Sequence, residues 1–480
     1  MVHKNVLLIA HDVYQDYNEF PLGIGYLAAM LEKNDFSVEV YCMDVFHYTN
    51  KELAEKLSKN EYDVIGVGFM AARFTETIVN LCKAVKEHKK NAWFVLGGPG
   101  PSPIPEYMLK KTQADIVAIG ESEEIIVDIV KCKTCNQKDL SSIKGIAYRK
   151  EKKITVNPRR VPVKKLDELP FPAWHLFPMD IYTTCLHYVG MDKDDKMLSM
   201  ITSRGCVNRC SFCYRLEKAI RLRSVQNVID EIIELKKRFG VNCIHMADEL
   251  FLVSKKRIFE FERLLKENDL EIKYTANART DIFDREIAES LKRTGCILLN
   301  IGFESSSQHV LNRMNKNTTV EQNIRALEIS KEVQLHVGLN FIWGFPNDTK
   351  ESLDGNKELI KKYNQYHQIR TIRPVTPYPG CDLYYEAVDN GLIDGPGDFF
   401  DRFKNSDLVT VNFTEFPEKQ IYEWLFEVNK NLILDHYTHT NQDISVADEM
   451  ISNFKNLYDG KTTKFRGARR YAKDEKFTQK

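Results

Sequence analysis

The sequence lacks net charge and a long apolar run. Its 480 residues carry 68 basic and 68 acidic side chains, so we expect neither nucleic acid nor an anionic membrane as the main partner. No stretch of about 18 or more uncharged apolar residues occurs, so no transmembrane segment is expected. The apolar start at 6–10 is too short for the apolar region of a signal peptide. These absences together predict a soluble cytoplasmic protein.

The sequence also lacks the cysteine usage of an exported protein. It has eleven cysteines, an odd number, and without an export signal we expect no disulfide framework. Thiols in a reducing compartment are either buried apolar side chains or metal ligands, and their spacing separates the two. Cys132 and Cys135 form a lone C-x2-C pair. This pair is either half of a metal site or a chance pair, and we favour a chance pair because no second pair lies near.

The apolar runs divide the chain into four parts. Strands and helices alternate over residues 1–138, which predicts a doubly wound α/β domain of the Rossmann or flavodoxin type. Residues 139–195 carry five prolines and few periodic runs, which indicates a linker. Six strand–helix units over 196–395 predict a partial β/α barrel, with the sixth strand at Ile369–Ile372. The last part, 396–480, is expected to be helical and to end in a basic tail.

Three cysteines stand together in a loop that follows a predicted strand. Cys206, Cys210 and Cys213 have the spacing C-x3-C-x2-C. A cluster with protein ligands alone usually takes four cysteines, so three thiolates leave one iron of a [4Fe–4S] cluster open to a small molecule with an amine and a carboxylate. Zinc requires paired cysteines or histidine partners, and neither is close. We therefore interpret the three residues as cluster ligands rather than as zinc ligands or packing thiols.

The same loop resembles the signature of a known family. The pattern C-x3-C-x-aromatic-C, with Phe212 at the aromatic position, is similar to the motif of the radical S-adenosylmethionine (radical SAM) superfamily. The segment Arg221–Val225, followed by Glu231-Ile232, is similar to the subgroup that carries an N-terminal cobalamin-binding domain. The resemblance covers residues 5–395 approximately and implies three cofactors: a [4Fe–4S] cluster, S-adenosylmethionine and cobalamin. It also implies that the backbone at Phe212 lies near the adenine.

Polar side chains at the predicted carboxyl ends of barrel strands are further candidates, because functional residues of parallel barrels collect at that edge. The zwitterionic methionine group needs an acceptor for its ammonium, from Asp248 or Glu249, and a donor for its carboxylate, from Arg279. Glu304 is placed to accept from ribose hydroxyls. Without the resemblance we would interpret each as an ordinary ion pair at the barrel rim. With the resemblance we favour cofactor contacts for Asp248 or Glu249 and for Glu304. For Arg279 the cofactor contact and the rim ion pair are equally supported.

Glycine turns mark candidate cobalamin contacts in the first domain. The relevant segments resemble loops of the cobalamin-binding fold, in which a doubly wound sheet holds the corrin at its carboxyl edge; they are Gly68-Phe69, Gly97-Gly98-Pro99 and the loop with Glu121. The D-x-H-x-x-G motif, whose histidine ligates cobalt in many cobalamin enzymes, is missing, and neither His3 nor His11 fits its pattern. Either cobalamin binds without a protein imidazole, which we favour, or the domain no longer binds it and the glycines are ordinary turns.

The resemblance implies an enzyme that forms a 5′-deoxyadenosyl radical and abstracts hydrogen from an unactivated carbon. Our first hypothesis is methyl transfer to that carbon by way of cobalamin. The second is a radical cyclisation, rearrangement or oxidation, with or without cobalamin. A third, non-catalytic hypothesis is an iron–sulfur carrier, against which the open iron and the strand-end acids argue. The substrate, a small molecule or natural product, has no recognisable motif, and we expect an external electron donor of the flavodoxin or ferredoxin type.

Overall fold

The structure is a computed structural model that describes residues 3–12, 19–135, 139–150, 153–188 and 190–463. From residue 464 on, the basic tail that the sequence predicts lies outside the described residues. Two sheets, each built mainly from parallel strands, organise the described chain.

The strands of the first sheet form a largely parallel array. They are β1 (His3–Ala10), β2 (Val38–Cys42), β3 (Glu61–Gly68), β4 (Trp93–Gly97), β5 (Ile116–Ala118), β6 (Ile146–Lys150) and β7 (Lys153–Val156). Within the described residues the strand order is β2-β1-β3-β4-β5-β6-β7. The pairings among β1 to β5 are parallel, whereas β6 and β7 run antiparallel. The apolar runs of β1 and β3 occupy the centre, as expected for strands covered on both faces.

Helices cover both faces of this sheet. They are α1 (Leu22–Glu32), α2 (Met43–Phe46), α3 (Asn50–Lys59), α4 (Glu76–His88), α5 (Pro105–Thr112) and α6 (Glu123–Thr134). Side chains of α3, α4 and α5 are buried against one face, and those of α1 and α6 against the other. The doubly wound α/β fold that the sequence predicts is therefore confirmed.

The segment 139–195, for which the sequence predicts a linker, contributes β6 and β7 to the first sheet. β6 pairs antiparallel with β5, and β7 pairs with β6 at the sheet edge. Strands this short, with charged residues at an exposed edge, carry little alternating apolar signal. The remainder includes α7 (Met179–Tyr182) and crosses to the second sheet. Trp174, Phe177 and Tyr182 are buried there in the same hydrophobic cluster as the barrel.

The second half contains a six-stranded parallel sheet and a small ribbon. Its strands are β8 (Met197–Met200), β9 (Ser203–Arg204), β10 (Arg221–Leu222), β11 (Cys243–Met246), β12 (Lys273–Ala278), β13 (Cys296–Glu304), β14 (Val337–Trp343) and β15 (Arg373–Pro374). Over the described ranges the large sheet has the order β15-β14-β13-β12-β11-β8, and β9 pairs only with β10. The partial β/α barrel predicted from the sequence is confirmed.

The sixth barrel strand is shifted from its predicted position. The apolar run at Ile369–Ile372 precedes β15 instead of forming it. The Ile372 N–H donates to Asn429 Oδ1 at 2.8 Å, and Asn429 Nδ2 donates to the Ile372 carbonyl at 3.0 Å. Because a side-chain amide takes both backbone groups of Ile372, that residue cannot join the strand ladder.

Helices surround the second sheet and form the C-terminal region. They are α8 (Val225–Phe239), α9 (Lys255–Glu267), α10 (Arg285–Arg293), α11 (Gln308–Arg313), α12 (Val320–Val333), α13 (Lys350–Tyr363), α14 (Asp382–Asp389), α15 (Pro396–Arg402), α16 (Glu418–Thr440) and α17 (Ile444–Tyr458). Leu425, Val428 and Leu432 of α16 are buried in the barrel cluster, so the helical C-terminal region packs on the barrel. Among the described helices, none combines the length and the apolar character needed to cross a bilayer.

Candidate functional site

The cysteine loop connects β9 and β10, the two strands of the small ribbon. Their antiparallel pairing holds both ends of the loop 205–220 together. Gly205 has a φ of 82°, and a Cβ at this position would lie 2.2 Å from the carbonyl oxygen of Ala219. Only glycine fits so close an approach of two backbone segments. Cys206 and Cys210 are half-buried and Cys213 is exposed.

Two side-chain N–H groups are directed at the thiol sulfurs. Asn208 Nδ2 lies 3.6 Å from Cys206 Sγ, and Arg279 Nη1 lies 3.6 Å from Cys210 Sγ. Burial raises the pKa of the Cys210 thiol, and the positive charges of Lys316 and Arg279 oppose that shift. Hydrogen bonds to sulfur stabilise thiolates and tune the potential of a cluster.

The donor set fits a cluster better than a single ion. In the part of the chain that the structure describes, no three His, Cys, Asp or Glu side chains converge as one metal ion would require. The thiolates of an iron–sulfur cluster bind different iron atoms, so they need not meet at a point. The zinc interpretation lacks such a convergence, whereas three spaced thiols with N–H donors beside them are suited to a cluster.

Asp248 lies just beyond β11 and both of its carboxylate oxygens are occupied. Oδ1 accepts from the backbone N–H groups of Thr202 at 2.7 Å and Ser203 at 2.6 Å, and Oδ2 accepts from the Thr202 hydroxyl at 2.9 Å. Burial raises the pKa of Asp248, and these hydrogen bonds oppose the shift. Asp248 therefore fixes the residues that lead into the cysteine loop, while the neighbouring Glu249 is exposed.

Arg279 and Glu304 meet in one buried group of charges. Arg279 Nη2 donates to the Lys316 carbonyl, and Lys316 Nζ donates to Glu304 Oε1 at 2.7 Å. All three residues are buried. Glu304 has a φ of 64° at the end of β13, a conformation that a non-glycine residue keeps only where its surroundings hold it. The structure thus brings two sequence-predicted residues together and adds Lys316, which no strand-end pattern marks.

The glycine loops of the first domain touch one another at the carboxyl edge of the first sheet. Gly68 and Gly97 are register partners on β3 and β4. Gly98 has a φ of 90°, and a Cβ there would lie 3.1 Å from the Phe69 carbonyl oxygen. The Gly100 N–H donates to the same oxygen at 2.9 Å. Glycine at these positions lets the loops after β3 and β4 pack backbone against backbone, and this glycine cradle is the place where the resemblance locates cobalamin.

Glu121 joins the first domain to the ribbon beside the cysteines. Its carboxylate accepts from Arg221, with Nη1 at 2.9 Å from Oε2, and Arg204 Nη1 lies 3.3 Å from the same oxygen. Glu123 accepts from Arg204 Nη2 at 2.6 Å. Burial alone would raise the pKa of Glu123, but Arg204 outweighs it, so that the pKa is lowered. The loop that the resemblance assigns to cobalamin therefore also holds both ends of the cysteine loop.

A cavity of about 610 Å³, here called the shared cavity, lies where the carboxyl edges of both sheets meet. This volume is within the usual range of small-molecule sites. Its walls include five segments of the chain: the loop after β1, the loop after β3, the cysteine loop, the segment after β15 and the segment after α15; among their residues are His11, Met70, Arg73, Phe212, Thr376 and Asn405. Phe212, the aromatic residue of the cysteine motif, therefore faces the same space as the first domain.

His11 is a feature of this cavity that the sequence analysis did not assign. It is the first residue after β1, and its Nε2 atom is buried without a hydrogen-bond partner among the described residues. Burial lowers the pKa of His11 to about 4, and Arg73 acts in the same direction. The imidazole is therefore neutral at physiological pH.

Two family models match different parts of the chain. A family model described as B12 binding domain matches residues 12–130, and one described as radical SAM superfamily matches residues 200–360. The first contains the glycine cradle, and the second contains the cysteine loop and the barrel strands β11 to β14.

Several known proteins are similar over most of the chain. An uncharacterized methyltransferase of Pyrococcus horikoshii is 30% identical over 377 residues, which is 78% of this chain and 79% of that protein. An anaerobic magnesium-protoporphyrin IX monomethyl ester cyclase of Rubrivivax gelatinosus is 27% identical and covers 77% of this chain and 66% of its own. The fold is similar to that of the radical S-adenosylmethionine methyltransferase TsrM from Kitasatospora setae, solved with cobalamin and a [4Fe–4S] cluster bound, with a TM-score of 0.67, 18% identity and coverage of 82% and 77%.

Proposed function

The chain belongs to the radical SAM superfamily and carries the B12-binding domain of one of its groups, and on that basis we propose that it methylates an unactivated carbon of a small molecule. It is an enzyme that uses a [4Fe–4S] cluster, S-adenosylmethionine and cobalamin. The observation that carries the proposal is the shared cavity, because its walls combine the carboxyl edges of both sheets. A substrate there lies within reach of groups held by either domain.

We assign the cluster to Cys206, Cys210 and Cys213. Bound there, the cluster supplies the one-electron reduction that releases a 5′-deoxyadenosyl radical from S-adenosylmethionine. The chain's own task is to hold the three thiols and to direct N–H donors at them, which Asn208 and Arg279 do at 3.6 Å each. Since Cys213 is exposed, we also propose that an external donor of the flavodoxin or ferredoxin type docks at this side of the loop.

We assign the methionine ammonium to Glu249 rather than to Asp248. The hydrogen bonds from Thr202 and Ser203 already occupy the carboxylate of Asp248, whereas Glu249 is exposed at the same strand end. Glu304 uses Oε1 for Lys316, and we assign its second oxygen to a ribose hydroxyl. Arg279 then acts on the cluster through Cys210 as well as on the cofactor carboxylate.

Cobalamin is assigned to the carboxyl edge of the first sheet, beside Gly68-Phe69 and Gly97-Gly98-Pro99. Bound there, it supplies the methyl group that the substrate carbon receives. At that edge Gly98 lets the loop after β4 approach the backbone of Phe69 directly. The ion pairs of Glu121 and Glu123 with Arg221 and Arg204 hold this edge against the cysteine loop.

The test is an anaerobic reconstitution with iron, sulfide, hydroxocobalamin, a reductant and S-adenosylmethionine whose methyl group is deuterated. We expect about four irons per chain, bound cobalt, 5′-deoxyadenosine and the deuterated methyl label in the cobalamin fraction. The triple variant Cys206→Ala, Cys210→Ala, Cys213→Ala should lose the iron and keep the cobalt. The matched control Cys82→Ala, a buried thiol of α4 in the first domain, should keep both.

The same samples separate the competing functions. Deoxyadenosine without label in the cobalamin fraction would favour a radical cyclisation, the type of reaction named for the Rubrivivax gelatinosus relative. Iron without any cleavage of S-adenosylmethionine would favour the iron–sulfur carrier. Unchanged iron content in the triple variant would refute the assignment of the cluster to these cysteines.

A further inference from the structure

The strands β13 and β14 carry polar side chains on the inner face of the barrel. Their other face is buried against the surrounding helices, through Leu299, Ile301, Leu339 and Phe341. The residues between these point inwards, and Asn300 is there the register partner of Gly338, and Gly302 that of Asn340. A Cβ added at Gly302 would meet the carboxylate of Glu304, so this inner face is also the face of the candidate site.

The inner face is open beside Asn340. This residue is exposed, although Leu339 and Phe341, its neighbours on β14, are buried. Ile342, two residues further along the same face, lines the shared cavity. The open inner face therefore extends from the shared cavity towards the amino end of β14.

The guanidinium of Arg370 lies on this open face. A Cβ at Gly338 would lie 2.7 Å from Arg370 Nη2, so the glycine makes room for the arginine. Nη1 donates to Asn340 Oδ1 at 3.4 Å, and Nη2 donates to Gln368 Oε1 at 2.9 Å. Because both amides accept through their oxygen, their NH2 groups, which have no partner among the described residues, remain as donors.

Arg370 differs from the neighbouring cations in that no carboxylate of the described residues pairs with it. The other cations each have an acidic partner within 4 Å: Arg279 with Asp281, Lys316 with Glu304, and Arg373 with Asp407. Burial lowers the pKa of Arg370 to about 10, and no described acidic group opposes that shift. The guanidinium is still charged at neutral pH, and a partly buried charge without an opposite charge is unfavourable until a ligand supplies one.

We propose that Arg370 binds an anionic oxygen group of the substrate, a carboxylate or a phosphate, inside the barrel. The planar guanidinium suits two oxygens of such a group, and the NH2 groups of Asn340 and Gln368 add further donors. Gly338 and Ile342 are four residues apart, which is about 13 Å along a strand. The substrate therefore carries its anionic end at about that distance from the part that reaches the shared cavity. The inference rests on the proposed function, because it takes the shared cavity as the place of reaction.

The test is equilibrium dialysis of the anaerobically reconstituted full-length protein against two matched pairs of probes. One pair is 4-phenylbutanoate and 4-phenylbutanamide, and the other is phenyl phosphate and phenol. We expect the anion of at least one pair to bind about tenfold more tightly than its neutral partner. The pair with the larger preference identifies the group as a carboxylate or a phosphate.

The anion preference should vanish in Arg370→Met and in Arg370→Gln, because neither side chain carries a charge. The matched control is Arg263→Met on α9, where the arginine side chain is 55% exposed and pairs with Glu267. This control should keep the preference of the unsubstituted protein.

Urea unfolding of the same variants without ligand separates binding from a structural role. Arg370→Met should unfold at the same urea concentration as the unsubstituted protein or at a higher one, because methionine removes an unpaired charge from the interior. A lower midpoint would show that the hydrogen bonds to Asn340 and Gln368 hold the barrel together, and it would overturn the inference.

The binding outcomes are separate from those of the proposed function. No anion preference in the unsubstituted protein, or a preference that persists in both Arg370 variants, would overturn the inference. A preference abolished by saturating S-adenosylmethionine would assign Arg370 to the carboxylate of that cofactor and would overturn it as well. An Arg370-dependent preference in a protein that transfers no deuterated methyl label to cobalamin would support the anion site and refute methyl transfer alone.

Discussion

Replacement of Glu231 by alanine should destabilise the barrel by about 3–5 kcal/mol. Glu231 lies on α8 with its side chain 1% exposed, and it pairs with Arg223, whose side chain is 4% exposed. In the variant, Arg223 Nη1 still donates to the Ile201 carbonyl at 2.7 Å and Nε to Asn227 Oδ1 at 2.7 Å. The positive charge of Arg223, however, stays buried without an opposite charge beside it, and this unpaired charge accounts for most of the expected loss of stability.

The same helix offers a matched control. Glu234 pairs with Arg238 at 2.7 Å, but the two side chains are 38% and 40% exposed. Glu234→Ala should therefore lower stability by no more than about 0.5 kcal/mol. Both changes replace glutamate by alanine within α8, so the difference in helix propensity is the same and cancels. The remaining difference in stability between the two variants therefore comes from the burial of the ion pair.

The assay is anaerobic equilibrium unfolding of the apoprotein in urea, followed by circular dichroism and by fluorescence to check that the transitions coincide. A third variant, Arg223→Met with Glu231→Leu, should recover most of the stability, because apolar side chains of similar volume avoid the desolvation of both charges. If Glu231→Ala costs no more than Glu234→Ala, the reasoning from burial is refuted.

Three further variants test other contacts. Burial raises the pKa of Asp44 to about 7, so its contribution to stability is complete below about pH 4 and is lost as the pH rises through about 7. Asp44→Asn, which still accepts from the Tyr182 hydroxyl, should gain stability over the unsubstituted protein in thermal unfolding as the pH rises from about 4 to about 7, and a difference that stays constant over this range would contradict this. Gly98→Ala should weaken retention of hydroxocobalamin without loss of iron, because its Cβ would lie 3.1 Å from the Phe69 oxygen, and Gly391→Ala, with a φ of 68° and no atom within 4 Å, is its control. Glu121→Gln should lower the free energy of unfolding in urea by about 1–3 kcal/mol, because it weakens the pairs with Arg221 and Arg204. Glu124→Gln, whose side chain is 41% exposed, should change that free energy little, and equal effects of the two variants would argue against the interdomain pairs.

Local pattern was enough to predict the two α/β halves and the cysteine motif. The apolar runs at β1, β3 and β14 reflect strands covered on both faces. Because a strand of this kind consists mainly of consecutive apolar residues, the sequence alone shows where it lies. The spacing of Cys206, Cys210 and Cys213 is likewise a property of eight consecutive residues. Such signals depend on neighbours along the chain, so they are readable without the fold.

Contacts between distant segments determined the features that the sequence did not predict. Asn429 on α16 takes the backbone groups of Ile372 and displaces the sixth strand. Thr202 and Ser203 donate hydrogen bonds to the carboxylate of Asp248, which leaves Glu249 as the assigned acceptor of the methionine ammonium. Lys316 bonds to Glu304 from a loop whose sequence shows no recognisable pattern. The separation along the chain is 57 residues for Asn429 and Ile372, 46 for Asp248 and Thr202, and 12 for Lys316 and Glu304, and no periodicity links the two positions of a pair.

His11 shows the same limit most clearly. Read along the chain, it fails the spacing of the cobalt-binding motif and has no apparent role. Only the folded sheet brings it beside Gly68 and Phe69, at the edge of a cavity whose other wall comes from the second sheet. The sequence by itself determined the two α/β halves and the cysteine motif, because their signals repeat locally. The chemistry of the cavity depends on pairs of groups that only tertiary packing brings within a few ångströms.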